Sequence, residues 1–160
     1  MLASTLYKRA EVVSESIVDG KNFDVQTAQR WQLAVNELEE AVKANAELAP
    51  AQLLLGKLQL LPFGKPEKAK EALDNAVKLL AEEPGEQAEA LRLRASAQSD
   101  AEKKLADLDR SLKLAPDSAK ALRDRGNVYV AQNKSEQALD DFKAAIEIDP
   151  DDAAAHESAG

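Results

Sequence analysis

The feature that most constrains this 160-residue chain is an echo at a spacing of 34 in its C-terminal half. Ala97, Gln98, Glu102, Leu105, Asp107, Pro116, Asp117, Ala119 and Ala121 are matched, 34 positions on, by Ala131, Gln132, Glu136, Leu139, Asp141, Pro150, Asp151, Ala153 and Ala155. A fixed period of this length means one supersecondary unit stacked on copies of itself, each burying its apolar face against its neighbours. Such a chain presents a surface and carries no chemistry by virtue of its fold.

The unit is helical. In residues 119–152, Leu122, Gly126 and Tyr129 share one helical face, and Ala138, Leu139, Phe142, Ala145 and Ile146 share another. Between them, Asn133 is the expected N-cap of the second helix, with Glu136 three residues on. At the aligned place Ser99 and Glu102 form a Ser-x-x-Glu capping box. Pro116 and Pro150 follow the second helices, and Asp117 and Asp151 are the expected caps of the helices that come next.

Leu122-x-x-Arg125-Gly126-x-x-Tyr129, Ala138-x-x-x-Phe142-x-x-Ala145 and Pro150 together resemble a tetratricopeptide repeat. The resemblance implies an all-α, right-handed α-solenoid of antiparallel helical hairpins. Gly126 and Ala138 are small enough for two helices to approach closely, while Tyr129 and Phe142 are expected to fill the space between units. Arg125 departs from the pattern, since an apolar residue is usual there, and its guanidinium must snorkel or pair. Residues 85–118 form a degenerate repeat, with Arg92 and Lys104 at the two close-contact positions and a wider gap expected between the helices. Residues 49–84 are a repeat-like hairpin: Ala69, Leu73, Ala76 and Val77 match Ala138, Phe142, Ala145 and Ile146. Residues 1–48 are a degenerate hairpin with a displaced turn at Asp19-Gly20-Lys21-Asn22, in which Ala34, Leu38 and Ala41 echo Ala69, Leu73 and Ala76. Residues 153–160 read as the start of a further, truncated repeat, which implies that the sequence is a piece of a longer protein.

Composition removes several functions. With 21 basic and 29 acidic residues the net charge is −8, and no basic stripe or aromatic platform is present, so nucleic acid is not the expected partner. No apolar run approaches the length of a membrane span, so no membrane insertion is expected. There is no cysteine, and His156 is the only histidine, at the position where Leu122 packs. No triad, zinc site or phosphate loop can be assembled, so neither an enzyme nor a cofactor is expected. Asp149-Pro150-Asp151-Asp152 lacks the glycine and distal glutamate of a calcium loop.

What remains is recognition. The tetratricopeptide resemblance implies a groove lined by the first helix of each hairpin, with a peptide or partner protein held in it. In the best-matching repeat the groove-facing positions are Lys120, Arg123, Asp124, Asn127 and Val130. Arg123 and Asn127, one turn apart, match the basic residue and Asn with which such modules capture a terminal carboxylate, although the next repeat offers Ser158 where the pattern asks for Asn. Upstream, Leu54, Leu58 and Leu61 are candidate apolar anchors. The alternatives are a purely architectural spacer or self-assembly segment for a fused domain, and a regulatory solenoid serving an attached enzyme. Self-association through the unfinished C-terminal repeat is a further expectation.

Overall fold

The computed structural model describes residues 1–18 and 24–151, and all of them that lie in regular structure are helical. Eight helices follow in order: α1 (Leu2–Val18), α2 (Val25–Ala44), α3 (Ala49–Gln59), α4 (Pro66–Leu79), α5 (Pro84–Ala97), α6 (Ala101–Leu114), α7 (Ala119–Ala131) and α8 (Ser135–Ile148). They pair as hairpins α1/α2, α3/α4, α5/α6 and α7/α8. The chain divides into two compact units, residues 1–82 and 83–160, each with two hairpins stacked on one another. The architecture is the expected all-α stack of antiparallel hairpins. His156, Ser158 and the residues read as the start of a further repeat lie outside the described residues, as does the 19–22 turn.

In the N-terminal unit one apolar cluster runs through all four helices, from Ala10 and Ile17 through Trp31, Leu38 and Ala41 to Leu55, Leu58 and Ala72. The Trp31 indole donates to the Leu58 carbonyl across 2.8 Å, which satisfies the ring's only polar atom without exposing it. Helix α3 holds Gly56 against Leu73 of α4, so closely that a Cβ there would overlap the leucine side chain. The same contact recurs in the C-terminal unit, where a Cβ on Gly126 would lie 2.5 Å from the Phe142 ring. Phe142 therefore fills the space inside its own hairpin, not between units. Tyr129 is half-buried, with the Arg125 guanidinium and the Lys134 ammonium 5.9 and 5.8 Å from its ring centre.

The helix ends differ from the sequence expectation by one residue. Asp100, not Ser99, caps α6, its carboxylate accepting from the Glu102 and Lys103 amides. Ser118, not Asp117, caps α7 by accepting from the Ala121 amide. Asn133 does not cap α8; it takes a left-handed conformation (φ 58°) that turns the chain, a role Asn tolerates well. Pro66 and Pro84 open α4 and α5, where a missing N–H has no helical acceptor to lose. Asp24 caps α2, its carboxylate held below the usual carboxylate range first by the Thr27 amide and then by the Thr27 hydroxyl.

Candidate interaction site

The first helices of the C-terminal unit, α5 and α7, are tied by a guanidinium. Arg92 on α5 forks onto Glu89 of its own helix at 2.7 and 2.8 Å and reaches Asp124 on α7 at 2.8 Å. Burial works against this charge, yet Glu89 and Asp124 outweigh it and hold the guanidinium pKa above its ordinary value. Arg92 thus spans the place where the pattern has a small residue, carrying its charge to two carboxylates. Arg125 solves its departure the same way. It forks onto Asp141 of α8 at 2.8 and 2.7 Å and meets Asp109 of α6 at 2.8 Å. The Asp141 bonds are the main reason its pKa stands above the ordinary value; burial opposes them and Asp109 adds to them. Within α5/α6, Arg94 forks onto Asp107, and the Ser111 hydroxyl donates to the Ala88 carbonyl at 2.7 Å.

Beside this network lies a cavity of about 340 Å³ between α5, α6 and α7. Ala95, Leu108 and Val128 give it apolar walls, and Lys104, Asp124 and Asn127 bring polar groups to it. Of the groove-facing positions singled out from the sequence, Asp124 and Asn127 reach the cavity. Arg123 sits beside it in sequence register, its guanidinium 4.0 Å from Asp124 and about a quarter exposed. Lys120 and Val130 are exposed on α7 and do not line the cavity. In the N-terminal unit, Leu54 and Leu61 are half-buried against the apolar cluster, whereas Leu58 is fully buried within it. Leu58 is a core residue here, because its carbonyl accepts from Trp31 of α2 and its side chain lies wholly inside the apolar cluster, where no ligand can reach it without opening the hairpins.

Asp107, Asp109 and Asp141, the acidic partners of Arg94 and Arg125, were not singled out as functional from the sequence. Their signal was nonetheless present, because Asp107 and Asp141 belong to the 34-residue echo. A carboxylate that repeats on a second helix, with an arginine on the first, marks a clip inside each hairpin. Among the described residues no group of three or more His, Cys, Asp or Glu side chains could hold a metal ion, and no helix is long and apolar enough to cross a membrane.

Residues 91–158 match the tetratricopeptide repeat family. No curated protein matches the sequence. Among solved structures, the crystal structure of MamA superposes with a TM-score of 0.71 at 24% identity, over 86% of this chain and 82% of that one. MamA 41-end from Desulfovibrio magneticus RS-1 gives a TM-score of 0.73 at 18% identity, over 94% of this chain and 77% of that one. A tetratricopeptide repeat protein from Parabacteroides merdae gives 0.63 at 23% identity, over 96% of this chain and 57% of that one. Residues 91–158 thus match the tetratricopeptide repeat family by sequence, and over most of its length the chain shares the fold of a tetratricopeptide repeat protein of known structure.

Proposed function

We propose that this protein is a non-enzymatic interaction scaffold that holds a peptide or partner protein against the first helices of its C-terminal unit. The observation that carries the reading is the cavity between α5, α6 and α7, where apolar walls meet Asn127, Asp124 and Lys104 at the end of a fixed ion-pair network. Small, mostly apolar recesses with a few convergent polar groups are where ligands are recognised. A carboxylate of the partner, terminal or side-chain, sits between Arg123 and Asn127, with Lys120 at the rim and Val130 extending the contact along α7. An apolar side chain next to that carboxylate enters the cavity. In the N-terminal unit Leu54 and Leu61 are the anchors left to a longer ligand, since Leu58 belongs to the core.

The test is a peptide-array screen followed by titration of the best binders, each with a free and an amidated C-terminus. Charge-assisted hydrogen bonds contribute about 1.5–3 kcal/mol each. Arg123→Ala should therefore weaken the free-carboxylate peptides about tenfold or more while barely changing the amidated ones, and added salt should shrink the difference. Equal affinity of both proteins for every peptide removes the carboxylate site. The architectural reading would then stand on the ion-pair network itself, because guanidinium clips that fix one hairpin to the next suit a spacer.

A further inference from the structure

The molecule has a second recess, in its N-terminal unit and separate from the site proposed above. A groove of about 690 Å³ runs between α1 and α2, lined by Met1, Lys8, Arg9, Val12, Leu33 and Glu37 among others. Val12 and Leu33 are 68% and 49% exposed, unusual for branched apolar side chains facing each other across two helices. On the groove wall Glu37 is nine-tenths buried. One of its oxygens takes the Arg9 guanidinium at 2.6 Å, and the other has no hydrogen-bond partner among the described residues.

The repeat register says what this face is for. The offset that aligns Ala34, Leu38 and Ala41 with Ala69, Leu73 and Ala76, followed by the one that aligns those with Ala138, Phe142 and Ala145, carries Glu37 to Ala72 and then to Asp141. Glu37 and Asp141 are thus equivalent, and each pairs with an arginine on the first helix of its own hairpin. At Asp141 the arrangement is complete. Both carboxylate oxygens accept from Arg125, and Arg125 also holds Asp109 from the neighbouring hairpin. Around that contact α6 presents Leu108 and Leu112, the former packed with Ala121 and the latter touching the same clusters beside α7. The face bearing Asp141 is therefore the face on which a neighbouring helix stacks, bringing two leucines and one carboxylate. The equivalent face at Glu37 has the groove and the arginine, with a guanidinium side chain 64% exposed, but no described helix on it.

We propose that this face of α1 and α2 docks an acidic amphipathic helix of a partner protein, one carrying apolar residues and a carboxylate within a turn of each other, as α6 does. Charge selects the partner. Lys8 and Arg9 make the groove rim basic on a chain whose net charge is −8, so the carboxylate goes to Arg9 as Asp109 goes to Arg125. A side-chain N–H or O–H of the partner meets the remaining Glu37 oxygen, because a buried acceptor without a donor is unfavourable. A second copy of this chain fits less well. Stacking through α7/α8 in the same register places Lys143, the equivalent of Asp109, against Arg9, and stacking face to face brings Lys8 and Arg9 onto themselves.

The probe is a hydrocarbon-stapled helix with the sequence of residues 101–114 in which Lys103, Lys104 and Lys113 are replaced by Glu to make it acidic, titrated into the isotope-labelled full chain and followed by amide shifts. The expected result is saturable shifts on α1 and α2, with affinity falling about tenfold for Leu33→Asp, for Val12→Asp and for a peptide with Asp109→Lys, as expected when a central apolar or charge contact is lost. Leu33 and Val12 are exposed, so both variants keep the fold, and their unchanged thermal melts confirm it. No shifts on α1 and α2, or shifts indifferent to all three changes, overturn the proposal. A concentration-dependent dimer of the unmodified chain that Leu33→Asp abolishes also overturns it, in favour of a second copy as the occupant.

Discussion

The two units build the same stack of hairpins with different materials. In residues 1–82 one apolar cluster threads all four helices, and the most buried polar link is the indole bond from Trp31 to Leu58. In residues 83–160 apolar clusters such as Ala95–Leu108–Ala121 alternate with guanidinium clips on Glu89, Asp107, Asp109, Asp124 and Asp141. Apolar burial is non-directional and tolerates small slips of one helix on another. A forked guanidinium fixes two planes at once, and removing one partner strands the other in a poorly solvated place. The C-terminal unit therefore gains definite register where the proposed carboxylate site needs Arg123, Asn127 and the cavity held in place.

What the units share is the close contact of a glycine on the first helix with a large residue on the second, and this should show the largest effects. Phe142→Ala should cost about 3–5 kcal/mol, because its ring is almost fully buried. Gly126→Leu should cost about 1–3 kcal/mol through overpacking, and Gly56→Leu a similar amount against Leu73. Combining Gly126→Leu with Phe142→Ala should cost clearly less than the sum, since the new side chain occupies the vacated space. Chemical denaturation of the three proteins checks this. Strict additivity would show that the two residues do not oppose each other.

The difference between the units is sharpened by Trp31→Phe. It deletes the indole donor while keeping most of the ring, leaving the Leu58 carbonyl without that bond, and should cost about 1–3 kcal/mol. Because the bond is neutral and buried, the loss should be the same at low and high salt. A loss that salt abolishes would mean that the N-terminal unit also depends on charge.

The smallest expected effect is at Asp24. Its native pKa is lowered, first by the Thr27 amide. A depressed carboxylate stabilises above its unfolded pKa and loses that contribution as pH falls through the folded value. The difference in melting temperature between the parent and Asp24→Ala should therefore be present near neutral pH and vanish in acid below the native pKa. A difference that persists unchanged in acid would rule out the ionised cap.

Much of this was legible in the sequence. Most of the helices follow from 3.6-residue periodicity, and Gly126 as a close-contact position follows from the repeat pattern, but that pattern paired it with Ala138 and sent Phe142 between units, whereas Phe142 is what it meets. Gly56 was not read as its counterpart, because it lies 70 positions before Gly126 while Leu73 lies 69 before Phe142, and one inserted residue hides the pair. The caps moved by one residue because Ser99 and Asp100, or Asp117 and Ser118, are both good caps, and the local backbone decides between them. Arg123 and Asn127 share a helix face by spacing alone, but spacing cannot show a cavity that Asp124 and Asn127 line and Arg123 does not. Leu58 shows the opposite limit. A leucine-rich helix has no polar side to say which leucines turn inward, and burial in the apolar cluster of the N-terminal unit decides it.

The central claim is that one repeat position carries a carboxylate clip that is closed at Asp141 and half-open at Glu37. A double-mutant cycle measures this directly, comparing Arg125→Met with Asp141→Leu and Arg9→Met with Glu37→Leu, each alone and together. The Arg125–Asp141 pair, forked and held by Asp109, should show a coupling of about 2 kcal/mol or more, with Arg125→Met alone costing about 3 kcal/mol. The Arg9–Glu37 pair, with its guanidinium largely in solvent, should couple by less than about 1 kcal/mol. Equal couplings for the two pairs would contradict the account.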